Sequence, residues 1–142
     1  MADLEELHAA IDGIRRTSKE IPIVATMTFD THGRTMMGVT PEKAIQTISG
    51  WGITALGGNC GNGPDELLVV IEKMHKVNPN IILVGKSNAG KPTLVKGKVL
   101  YQAGPEEMAT AAVQMKNAGA RIIGGCCGST PTHLQAMKQA LA

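Results

Sequence analysis

Apolar positions along the chain follow two alternating patterns. Four short runs, IPIVATMTF (21–29), ITALGGN (53–59), IILVGKSN (81–88) and RIIGG (121–125), are apolar without the strict polar alternation of a half-exposed strand. Short β-branched runs of this kind predict parallel strands covered on both faces. Between them lie stretches with helical spacing. The clearest is 65–76, where Leu67, Leu68, Ile71 and Met74 share one face. Another opens the chain at about 3–16, with Leu4, Leu7, Ile11 and Ile14 in register.

The helix starts share one signal. Thr40-Pro41, Gly63-Pro64, Gly104-Pro105 and Thr130-Pro131 each put a proline at the first helical position. There the missing N–H would have had no partner anyway. Asp65-Glu66 and Glu106-Glu107 follow two of these prolines and suit the positive end of a helix dipole. Gly119 stops the helix over 105–118. The chain therefore reads as one helix followed by four βα units, an α/β organisation with a parallel sheet and no linker. An open doubly wound sheet and part of a (β/α)8 barrel both fit. In either, chemistry sits at the C-terminal ends of the strands. All three cysteines, Cys60, Cys126 and Cys127, fall at such ends.

Composition narrows the classes. The 142 residues are 43% hydrophobic but only 2% aromatic, so the core must be aliphatic. A net charge of +2 without a basic cluster argues against nucleic acid as a partner. No apolar run approaches the ~18 residues of a membrane span. The opening MADLEELHAAIDGIRR is acidic where a signal peptide would be basic and then apolar, so a cytoplasmic location is expected.

Three cysteines cannot form a complete set of internal disulfides. If they converge on one rim, three thiolates suit Zn²⁺ and leave its fourth position open. Such a centre carries a net charge of −1. That favours holding an incoming thiol as a nucleophilic thiolate over generating hydroxide. The competing reading is that these are small buried apolar side chains, and spacing alone leaves both open. Gly124-Gly125 is expected to turn the backbone so that both following thiols face one metal. GKSNAGK (85–91) imitates a phosphate loop, but Pro92 replaces the Mg²⁺-binding hydroxyl and no helix follows. GWGITALGGNCGNG (50–63) lacks a nucleotide-binding glycine pattern, and its glycines suit a close backbone approach to a ligand at Asn59-Cys60-Gly61. The histidines His8, His75 and His133 read as solvated. His32 and Asp30, in the FDTHGRT loop, lie on the functional rim.

Four segments taken in order, TMTFDTHGRTMMGVTPE, GGNCGNGPDEL, SNAGKP and GGCCGSTPTHL, resemble the homocysteine S-methyltransferase family. Ser87 stands where many relatives have proline. The resemblance implies a (β/α)8 barrel, of which residues 1–142 would be a single partial domain, the C-terminal half. It implies Zn²⁺ held by Cys60, Cys126 and Cys127, with the homocysteine thiolate in the open position. It implies methyl transfer to that thiolate to give methionine, with Asn59, Asn88 and Asp30 as candidate substrate contacts. The donor would be a methylated corrinoid, S-methylmethionine, S-adenosylmethionine or a betaine. A closed barrel needs eight βα units, and only four are present here. The half is therefore expected to form a homodimer, to pair with a separate N-terminal half-barrel chain, or to belong to a longer protein. The alternative function is a non-catalytic or incomplete zinc-binding half.

Overall fold

A computed structural model describes residues 1–142. The elements are α1 (Leu4–Thr17), β1 (Val24–Met27), α2 (Pro41–Ile48), β2 (Ala55–Cys60), α3 (Pro64–Val77) and β3 (Ile82–Ser87), then a hairpin of β4 (Thr93–Val95) and β5 (Lys98–Leu100), and finally α4 (Pro105–Asn117), β6 (Ala120–Gly125) and α5 (Pro131–Leu141). Strands β1, β2, β3 and β6 form one parallel sheet in that order. The order never reverses, which excludes the doubly wound alternative, whose strand order switches direction at a central point. What remains is a continuous arc of a barrel.

All four prolines occupy the first turns of their helices. Thr40 caps α2 by accepting the Lys43 N–H at 3.1 Å. Glu107 caps α4 from within, accepting the Gly104 N–H at 2.8 Å. Such bonds satisfy orphan donors that every helix start leaves.

The sheet has one covered face and one open face. Ala25, Met27, Leu56, Leu83 and Ala120 point to the helices and pack in one core with Leu7, Ile11, Ile45, Ile48, Ile71, Met74 and Met115. Fully burying one such side chain stabilises the fold by about 1.5–3 kcal/mol. A smaller cluster of Ala89, Met108, Ala112 and Met137 joins α4 to α5. No helix covers the opposite face. There Val24 at one edge is 54% exposed and Ile122 at the other 40%, while Ala55 and Val84 between them are buried.

Three local readings change. Gly124 and Gly125 do not turn: they stay in β6, paired with Lys86 and Ser87. The positive φ of that loop falls at Gly128, at 79°. His133 is not simply solvated. Its Nδ1 accepts the Thr130 N–H at 3.1 Å, so the Nε2–H is left to donate to the Ala103 carbonyl at 3.1 Å. His75 is half-buried against Gly119, and its Nδ1 is buried without a partner.

Candidate metal centre

Each cysteine reaches the rim through a distinct backbone device. β2 ends at Cys60, whose φ of 59° lies in the left-handed region, followed by Gly61 at 77°. A non-glycine residue there costs of order 1–3 kcal/mol and persists only when its surroundings hold it. Cys126 follows β6 directly, and its N–H continues the sheet by donating to the Ser87 carbonyl at 2.7 Å. Cys127 comes next, its carbonyl accepting the Ala89 N–H at 2.9 Å.

The three sulfurs converge, all lying within 4.8 Å of one another. Cys60 Sγ is 2.8 Å from Cys126 Sγ and 4.0 Å from Cys127 Sγ. Cys60 and Cys126 are half-buried and Cys127 is exposed, so the cluster opens outward. A tetrahedral ZnS unit with ~2.3 Å bonds has sulfurs about 3.8 Å apart, a spacing the observed pair brackets. Three sulfur donors with one open side fit a metal of that preference.

Asn88 ties the two halves of the cluster together. It is only 5% exposed. Its Nδ2 donates to the Gly61 carbonyl at 2.7 Å, and its Oδ1 accepts the Cys127 N–H at 3.1 Å. One buried amide thus fixes the residue after Cys60 against Cys127. Asn59 donates through Nδ2 to Cys60 Sγ at 3.2 Å. Asp30 sits beside this network, its carbonyl accepting Asn62 Nδ2 at 3.0 Å. Glu66 holds Asn62 in turn, accepting both its side-chain amide at 2.9 Å and its backbone N–H at 3.1 Å. Sequence reasoning passed over Asn62 and Glu66, although both lie in the GGNCGNGPDEL stretch.

Proton affinities diverge within the cluster. Burial first, and then the Cys126 sulfur beside it, push the Cys60 thiol up to about 11. Burial also works against ionising Cys126. The hydrogen bonds reaching it from Cys60 and the Cys127 backbone outweigh that and hold it below the usual thiol value. Without a metal, Cys126 therefore gives up its proton more readily than Cys60. Tyr101, whose ring lies against Gly128, has its phenol raised by burial and then by the charge of Cys127.

A sequential parallel arc with a cysteine triad on its C-terminal rim defines a segment of a (β/α)8-type barrel whose three clustered sulfurs could hold a metal. The sequence profile described as homocysteine S-methyltransferase matches residues 1–141, and the chain belongs to that family. It is 32% identical over 145 residues to the methionine synthases of Mycobacterium tuberculosis and Mycobacterium leprae, covering 99% of this chain but 12% of theirs. Among solved structures it is similar to the homocysteine methyltransferase MmuM from Escherichia coli. The apo form superposes with a TM-score of 0.76 at 21% identity, over 98% of this chain and 47% of that one. The metallated form gives 0.74. The chain therefore spans about half of one relative's length and about an eighth of the others'.

Proposed function

We propose that this chain is the thiol-activating half of a homocysteine S-methyltransferase barrel, with Cys60, Cys126 and Cys127 holding one Zn²⁺. The observation that carries this reading is the convergence of the three sulfurs on the strand ends. Bound zinc supplies an electrophilic position at which a thiol loses its proton near neutral pH.

The chain's own residues prepare that position. Asn88 holds the Cys60 and Cys126-Cys127 segments in register, and Asn59 donates to the Cys60 sulfur. Asp30 stands on the same rim as a candidate contact for the amino group of homocysteine. In the transfer, the homocysteine sulfur attacks the donor methyl carbon. The new S–C bond forms as the old bond breaks, and the electron pair leaves with the donor. The donor is a methylated corrinoid, a sulfonium or a betaine.

That face supports a second, narrower reading, in which the half binds zinc but transfers nothing alone. Val24 and Ile122 remain uncovered, and β1 and β6 each pair with only one strand of the sheet. Closure would come from a separate N-terminal half-barrel chain or from a second copy. Zinc analysis and methyl-transfer assays, on the chain alone and with the N-terminal half of a relative, test both. One zinc per chain with homocysteine-dependent transfer supports the enzyme reading. Zinc binding without transfer in any combination supports the binding half. A chain that retains no zinc defeats both.

A further inference from the structure

Lys86 is the one charged residue at the metal-proximal end of the open face. Its neighbours in β3 point the other way: a Cβ at Gly85 would meet Met115 and Ile71, and Ser87 is buried with its Oγ 4.0 Å from Met108 Sδ. Lys86 therefore projects from the face the helices leave uncovered. The register sets it between Asn59 on β2 and Gly124 on β6. Those residues immediately precede Cys60 and lie two before Cys126. Its stem crosses Gly124, with Cγ and Cδ at 3.5 and 3.6 Å from where a Cβ would stand there. The stem thus lies in contact range over the Gly124 backbone, on the same face of the sheet.

No carboxylate of this chain pairs with the ammonium. β1, β2, β3 and β6 contain no aspartate or glutamate. The single ion pair of the chain joins His8 to Asp12 on α1. Arg121, the other strand cation, sits at the register shift near the far end of β6. On the rim, Asp30 Oδ1 accepts the Thr31 hydroxyl, and Glu66 is occupied by Asn62. An ammonium on the inner wall of a closed barrel loses water and is costly unless an anion meets it.

We infer that Lys86 is a substrate-contacting residue that recognises the carboxylate of a thiol acid whose sulfur sits at the cysteine cluster. The inference rests on the thiol-binding reading of that cluster. It assigns to this side chain the preference for thiols carrying a carboxylate a few carbons from sulfur over neutral thiols of the same length.

The test loads the full chain with Co²⁺ and follows its visible absorption during titration with 4-mercaptobutanoate or 4-mercapto-1-butanol. The wild type is expected to bind the acid more tightly. Lys86→Gln is expected to weaken the acid by about tenfold, the scale of a lost charged hydrogen bond. It should leave the alcohol and the Co²⁺ affinity unchanged, and Lys86→Arg should restore the preference. A preference for the acid that survives Lys86→Gln, equal weakening of both thiols, or weakened Co²⁺ binding overturns the assignment. So does a wild type that binds both thiols alike. If neither thiol changes the wild-type spectrum, the thiol-binding reading itself falls, and this inference with it.

Discussion

Cys60 carries both the strain and the protonation chemistry of the site. Its backbone adopts a conformation that suits glycine, so two truncations at this position should separate ligand from strain. Cys60→Gly and Cys60→Ala both remove a metal ligand, but the glycine variant should be more stable by about 1 kcal/mol, measured as metal-free unfolding in urea. The raised thiol gives a pH signature of definite sign. A group that holds its proton more tightly when folded contributes stability below its ordinary value, near 9, and loses it as pH rises through the folded value, near 11. Metal-free wild type should therefore lose stability between about pH 9 and 11, and Cys60→Ala should show a smaller loss over that window. Asn88→Ala should weaken zinc binding by about 10–100-fold in a chelator competition, as removing the support of a metal ligand does. The cysteines were legible in the sequence because thiols at strand ends have few roles. The clamp made by Asn88 was not, because its partners are backbone atoms 27 and 39 positions away. His133 was misread for a related reason: its Nε2 partner is the carbonyl of Ala103, in the loop before α4.

At the scale of elements, the prolines and apolar runs were reliable guides to where helices and strands lie, although the expected cover on both faces of the strands is present on one face only. The strand over 21–29 proved shorter, since β1 needs β2 beside it and that pairing covers only Val24–Met27. The β4–β5 hairpin escaped notice. Its turn uses Lys96 at φ 48° and Gly97 at 76°, the mirror-image geometry favoured between twisted strands, but lysine is not a usual marker for it. Helix packing depends on absent side chains in the strands. At Gly85 an added Cβ would lie 2.9 Å from Met115 Sδ and 3.7 Å from Ile71. Gly85→Ala should therefore cost about 1–3 kcal/mol in thermal or urea unfolding while leaving the cysteines in place.

The whole molecule is an arc with two ends. β6 has a partner on one side only. At the other end Met1 lies against β1, its amino group donating to the Thr26 carbonyl at 3.3 Å and its carbonyl accepting the Thr28 N–H at 2.9 Å. Uncovered apolar faces and strand edges promote association. Light scattering of the chain alone should accordingly give a mass of at least two chains, and a complementary half should replace that species with a discrete complex. The three clustered cysteines have their own consequence for how the arc holds together. They sit at the end of β2 and just after β6, with β3 between those strands and 66 positions of chain separating Cys60 from Cys126. A metal joining them acts as a removable cross-link that shrinks the freedom of the unfolded chain. For a covalent link closing a loop of that length, the chain-entropy relation gives about 4 kcal/mol. Stripping the metal should then speed hydrogen exchange first in β6 and α5, so the sulfurs proposed to activate a thiol would also fasten the last βα unit to the sheet.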